Sequence, residues 1–272
     1  MIDKIIKDFH NLEEVEAVVL GGSRATDTYD ENSDYDFYIY LSKELHESKR
    51  RRILEPHVKY MEFSNQFWEL EDDGILNNDI EIEFIYRTLE DFESMLENVF
   101  IKGNVSNGYT TCFVDNLLRS KVMFDKNSRF NQLRKKYSEI LQDWDFSKIV
   151  DHNYPILMDH MPSLYYQVEK AFKRNDIYAI NHRSTAYFEM YFDILFAINK
   201  VTHPGEKRLL EIASNLSLKP VDMKRDIEDY FTKLFDQDVD SLAILERMSR
   251  NLHSLLLEQG YNYPINSFKE NA

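Results

Sequence analysis

Gly21-Gly22-Ser23-Arg24, followed by Ser33-Asp34-Tyr35-Asp36, is the stretch on which the reading of this chain turns. Val15 to Leu20 before it is a short apolar run. Tyr35 to Leu41 after it is aromatic and β-branched with polar residues between, so two strands bracket a glycine-rich turn. Gly21 and Gly22 lack Cβ atoms and let the backbone approach a ligand closely. Ser23 adds a hydroxyl beside N–H groups that open a short helix, and such a turn suits a polyphosphate. Asp34 and Asp36 stand two apart on a strand, so both side chains leave one face with Cα atoms roughly 6–7 Å apart. Carboxylates so placed can share one or two divalent cations, and magnesium takes one or two carboxylates plus substrate phosphates.

A second acidic run follows. In Asp79-Ile80-Glu81-Ile82-Glu83-Phe84-Ile85-Tyr86 the alternation puts Glu81, Glu83 and Ile85 on one strand face and Ile80, Ile82, Phe84 and Tyr86 on the other. Either glutamate can reach a metal on that face. Glu83 is favoured because it sits deeper in the apolar run, where a carboxylate without a cation is costly.

Gly22-Ser23, ten further residues and then Asp34-x-Asp36 resembles the signature of the DNA polymerase beta-like nucleotidyltransferase superfamily, including its small-molecule antibiotic branch. Glu83 falls where the superfamily has a third carboxylate, although most relatives carry Asp there. The resemblance implies that Asp34, Asp36 and Glu83 are catalytic and bind two Mg2+ ions. It implies a nucleoside triphosphate co-substrate, with ATP first in line, and release of pyrophosphate. Gly22 and Ser23 would hold the triphosphate and Arg24 is the nearest cation to it. Lys207 is the expected contact of triphosphate or acceptor from the C-terminal half, because basic residues at a helix start oppose the macrodipole. The acceptor would be a hydroxyl of a small molecule, with an aminoglycoside or lincosamide antibiotic as the guess that the likeness supplies, and antibiotic resistance as the role. The alternatives are a catalytically silent regulatory or antitoxin-like binding protein, and a protein-modifying nucleotidyltransferase. Asn181-His182-Arg183, Asn199-Lys200, His203-Pro204-Gly205-Glu206-Lys207-Arg208 and Gly108-Tyr109-Thr110 also resemble a bacterial branch of nucleotidyltransferase-like proteins. Relatives are monomers or homodimers, and either is compatible with the chain.

Composition narrows the partners. The 272 residues carry a formal net charge of -15, which disfavours nucleic acid and favours a cationic small molecule. The single cysteine, Cys112, excludes an internal disulfide and a cysteine-rich zinc site and suits a reducing compartment. Met1-Ile2-Asp3-Lys4 lacks a signal-peptide pattern, and no apolar run reaches the roughly 18 residues that a membrane span needs. A cytoplasmic protein that binds neither membrane nor nucleic acid is expected. There is no Gly-x4-Gly-Lys-Ser/Thr, His-Glu-x-x-His or Gly-x-Ser-x-Gly motif to support another chemistry.

The pattern predicts a helix over 3–13, strands over 15–20 and 35–41, a helical linker over 43–56, and strands over 58–63, 67–70 and 80–87. Glu71-Asp72-Asp73-Gly74 reads as a turn between the last two. Helices at 89–101, 109–119 and 128–142 flank a strand at 121–125. From about 145 the chain reads as helical, interrupted at Pro155 and Pro162, with a long helix striped by Ile177, Ile180, Tyr187, Met190, Tyr191, Ile194, Leu195 and Ile198. Further helices are expected at 206–217, 222–235 and 238–259. The expected class is α/β (α+β): a mixed-sheet nucleotidyltransferase domain over 1–142 and an all-α bundle over 143–272.

Overall fold

The structure is a computed structural model that describes residues 1–26, 33–234 and 239–265, with the side chain of residue 239 left aside. Its chain divides into two compact units, one of Met1–Lys102 and Phe113–Trp144, the other of Gly103–Cys112 and the residues from Asp145 onward.

The first unit opens with α1 (Ile2–His10), whose Ile5, Ile6 and Phe9 are buried on one side. Next come β1 (Val15–Leu20), β2 (Tyr35–Leu41) and α2 (Glu47–Leu54), then β3 (Val58–Asn65), β4 (Leu70–Leu76) and β5 (Glu81–Thr88). α3 (Leu89–Phe100), α4 (Cys112–Arg119), β6 (Lys121–Asp125) and α5 (Arg129–Asp143) complete it. The strands form one mixed sheet in the order β3-β4-β5-β2-β1-β6, with β2 parallel to β5 and the other neighbours antiparallel. Strand alternation then divides the side chains between two layers. Phe37, Ile39, Phe84 and Tyr86 join α1 and α2 in one core. On the opposite face the Tyr40 ring packs between Phe92 of α3 and Phe130 of α5, at centroid distances of 5.6 and 5.2 Å.

The expected turn at Glu71-Asp72-Asp73-Gly74 is instead the middle of β4, and of the expected strand at 67–70 only Leu70 is strand, the first residue of β4, while 67–69 are the bend before it, where Phe67 and Trp68 are 82% and 88% exposed. Three acidic residues and a glycine read locally as a turn because such residues leave their backbone groups to water. Here β3 and β5 pair with both edges of the strand, and Asp72 finds a buried partner in Arg50 of α2. Tertiary pairing thus outweighs local propensity.

The second unit is helical: α6 (Ser147–Tyr154), α7 (Leu164–Lys173), α8 (Ile177–Ile198), α9 (Leu209–Ser214), α10 (Met223–Leu234) and α11 (Val239–Glu258). Pro155 does not stop the helix, which continues as a π turn through Asp159. The last residue expected of α10 and the first of α11, 235 and 238, lie outside the described residues. α8 is buried on every side from Met190 to Ala197, as a central helix must be. Its Ser184 hydroxyl meets Tyr230 of α10 at 2.6 Å, and its Tyr187 hydroxyl meets Ser249 of α11 at 2.7 Å.

Asp193 of α8, itself buried, anchors the Gly103–Cys112 segment: Thr110 donates to it from Oγ1 at 2.6 Å and from its backbone N–H at 3.1 Å, and Asn153 donates at 2.9 Å. Burial pushes its carboxyl up to about 6, against the hydrogen bonds that pull it down. The folded value exceeds the unfolded one, so this group adds stability that is complete below the unfolded value and is lost as pH rises through about 6. The loss amounts to roughly 3 kcal/mol. Asp193→Asn is expected to flatten that component in urea titrations compared between pH 4.5 and pH 7. A variant with the wild-type pH profile would show that Asp193 is not its source.

Candidate functional site

The glycine-rich turn follows β1 directly. The Gly21 N–H donates to the Asp36 carbonyl at 2.8 Å, which ties the turn to the start of β2. Gly22 has φ +60 and ψ −159, a conformation that glycine alone adopts without strain, and a Cβ there would lie 1.8 Å from Oδ2 of Asp36. Ser23–Ala25 then form one 3-10 turn. Arg24 donates from Nε to the Ser33 carbonyl at 2.7 Å and lays its guanidinium 4.2 Å from the Tyr35 ring centroid, so it links the turn to the residues before β2. Gly22→Ala is therefore expected to cost about 1–3 kcal/mol of stability and to weaken nucleotide binding. Chemical denaturation measures the first, and a variant as stable as the parent would contradict the strain.

β2 and β5 lie side by side and parallel, in a register that places Asp36 opposite Glu83. Neither residue number nor spacing could supply this pairing. The antiparallel register of β4 with β5 places Asp73 opposite Glu83 on its other side, and Ile75 opposite Glu81. Three carboxylates, Asp73, Glu83 and Asp36, consequently form a row across three neighbouring strands on one face of the sheet. Asp34 precedes β2 by one residue and lines, with Asp73, Glu81, Glu83, Glu62 and Tyr60, a cleft of about 360 Å³. Both glutamates of β5 reach the cleft. Only Glu83 shares the row with Asp36.

Among the described residues, Glu71, Asp73 and Glu83 have carboxylate oxygens within 4.8 Å of one another. Burial, and then the charge of Asp73, pushes the Glu71 carboxyl above its ordinary value. Asn65 steadies Asp73 by donating to it at 2.6 Å. Asp73 and Glu71 escaped the sequence reading because the strand that carries them reads as a turn. The usable signal was the alternation of Leu70, Asp72, Gly74 and Leu76 with Glu71, Asp73 and Ile75. One step further along the same face, Tyr38 lies under the Arg87 guanidinium, 4.6 Å from the ring centroid. Burial drives its hydroxyl up to about 12, with Asp36 and Glu83 adding to the rise and Arg87 opposing it.

The donor set suits a hard divalent cation, since every group is a carboxylate and the glycine turn brings backbone against Asp36 where a side chain would collide. Lys207 belongs to the second unit, exposed in the turn before α9. The expected helix over 206–217 begins only at Leu209, after Arg208 at φ 56.

Residues 3–99 match the family model described as Polymerase beta, Nucleotidyltransferase. No curated protein matches the chain. Among solved structures, a nucleotidyltransferase-like protein from Exiguobacterium sibiricum 255-15 is 9% identical with a TM-score of 0.40, covering 95% of this chain and 76% of that one. An aminoglycoside 6-adenyltransferase from Bacillus subtilis is 13% identical with a TM-score of 0.29, over 97% of this chain and 92% of that one. The CCA-adding enzyme of Thermotoga maritima is 8% identical with a TM-score of 0.27, over 100% and 85%. These likenesses are distant, and the family model covers 97 of the 272 residues. Among the described residues no helix is long and apolar enough to cross a membrane.

Proposed function

We propose, from the match of residues 3–99 to the polymerase beta nucleotidyltransferase model, that the chain moves a nucleoside monophosphate from a nucleoside triphosphate, ATP first, to a hydroxyl of a small molecule. The observation that carries the reading is the facing of Asp36 and Glu83 across β2 and β5, beside the Gly22 turn. Asp34, Asp36 and Glu83 hold Mg2+ in this reading. The bound cation would offset charge on the triphosphate and on the leaving pyrophosphate. Gly22 and Ser23 seat the triphosphate, Arg24 keeps the turn against β2, and Lys207 is the candidate cation of the second unit. An acceptor oxygen forms a new bond to the α-phosphorus while the bond to the β-phosphate oxygen breaks and pyrophosphate departs. Glu83 takes the acceptor's proton.

The acidic cleft and the net charge of -15 support a cationic acceptor, such as an aminoglycoside, over nucleic acid. The deciding experiment is a pyrophosphate-release screen of the four nucleoside triphosphates with Mg2+ against aminoglycosides, lincosamides and candidate proteins. Release with one class of acceptor is expected. Silence across the whole screen would turn the reading toward a nucleotide-binding regulatory protein.

A further inference from the structure

Three stretches of the second unit that the sequence singled out, Gly108-Tyr109-Thr110, Asn181-His182-Arg183 and His203-Pro204-Gly205-Glu206, lie near one another. α8 is buried from Met190 onward, yet the stretch before it carries Tyr178, Asn181, His182, Thr185 and Glu189. They are spaced so that successive turns stack them on one side of the helix. The hollow that they line measures about 210 Å³, enough for a single ring-sized molecule. At one end the Tyr178 and His182 rings lie parallel, 3° apart in plane and 6.2 Å between centroids. At the other end stands Glu189, half-buried, with burial pushing its carboxyl upward and the His182 charge opposing that.

The Gly108-Tyr109 turn lies against the helix at Glu189. Gly108, at φ +94, rests on the helix there: a Cβ would lie 2.9 Å from the Glu189 Cβ and 3.2 Å from its carbonyl carbon and oxygen. Only glycine permits that approach. Tyr109 follows, its hydroxyl pushed up by burial and then by the charges of Glu189 and Glu206, and its ring meets that of buried His203 edge-on at 4.8 Å. Gly108-Tyr109, Asn181-His182 and the His203 to Glu206 loop are thus parts of one locality. Among the described residues the side chains of Tyr178, Asn181, His182 and Glu189 make no hydrogen bond to protein, so their donors and acceptors face the hollow or solvent uncommitted.

We propose that this stripe of α8 is a ligand site in its own right and takes a small hydroxylated amine, the size of one amino-sugar ring. A carboxylate partly removed from water and without a basic hydrogen-bond partner favours an ammonium group. The Tyr178 ring supplies a flat face that also attracts a cation, and between lie the Asn181 amide and the Thr185 hydroxyl, which donates to the Asn181 carbonyl at 3.0 Å and can still accept from a ring hydroxyl. An anionic ligand would be repelled by Glu189. The site needs neither nucleotide nor metal, so it stands or falls separately from the transfer reaction.

The test is binding by 1H–15N NMR of the full chain, without nucleotide or divalent cation. The probes are glucosamine and N-acetylglucosamine, the second having a similar ring without the charge. Glucosamine is expected to shift amides between 178 and 189 and those of Gly108 and Tyr109, with N-acetylglucosamine much weaker. Glu189→Gln should weaken glucosamine about tenfold or more, and Tyr178→Ala, at a position 77% exposed and safe for folding, about threefold. No shift in this region, equal responses to the two sugars, or a Glu189→Gln protein that binds like the parent would overturn the proposal.

Discussion

Asp36→Asn is expected to lower the affinity for ATP in the presence of Mg2+ by at least about 100-fold and any nucleotidyl transfer by about 10²–10³-fold. The side chain keeps its size, so the Gly22 turn that presses on it keeps its seat. What changes is charge: an amide oxygen binds Mg2+ far more weakly than a carboxylate. The row Asp73, Glu83, Asp36 then lacks the member nearest the turn. Calorimetry of ATP with and without Mg2+ separates the cases, because the parent should bind in a Mg2+-dependent way and the variant should lose that dependence. Mg2+-dependent binding of parental strength in Asp36→Asn would sink the metal assignment. Glu83→Gln and Glu81→Gln side by side resolve the choice on β5: only the first should behave like Asp36→Asn, since Glu83 alone faces Asp36.

Asp72→Ala is expected to destabilise the first unit by about 3–5 kcal/mol, the cost of leaving a buried charge without its partner. Arg50 and Asp72 are both buried and joined by an ion pair. Asp72 further accepts from the Tyr86 hydroxyl at 2.9 Å and from the Ser64 N–H at 2.9 Å, while Arg50 donates from Nη2 to Ser64 Oγ at 2.8 Å. Burial pushes the Asp72 carboxyl upward despite all of these. The pair therefore contributes specificity more than net stability. It fastens α2, β3, β4 and β5 to one another in a single register. Urea denaturation should show the loss in Asp72→Ala. The double variant Arg50→Met with Asp72→Leu, which removes both charges and keeps apolar bulk, should recover most of it. A single variant within about 1 kcal/mol of the parent would show that the arginine finds another partner or water.

Several readings that needed only local information succeeded. Strands at 15–20, 35–41 and 121–125 coincide with those observed, because apolar runs bounded by turn residues need no distant partner to be recognised. The long helix from 177 to 198 was legible for a similar reason, since its apolar positions repeat at helical spacing. Pro155 misled because a proline in the first turn of a new helical segment gives up an N–H that had little to bond. Glu71-Asp72-Asp73-Gly74 misled more seriously. Its strand state depends on an arginine on α2 and on two neighbouring strands, and no seven-residue window contains those partners.

By itself the sequence determined the order of the elements, the glycine turn before the Asp-x-Asp strand, and the two glutamates of β5 that share a face. Each follows from the bond geometry of a few consecutive residues. Only the tertiary structure decided which glutamate faces Asp36, that Asp73 extends the same row, and that Gly103–Cys112 groups with the helical unit. Those are statements about register and packing between distant segments. They are settled by burial of the opposite sheet face and by buried partners such as Asp193 for Thr110, interactions that exist only once the chain has closed on itself.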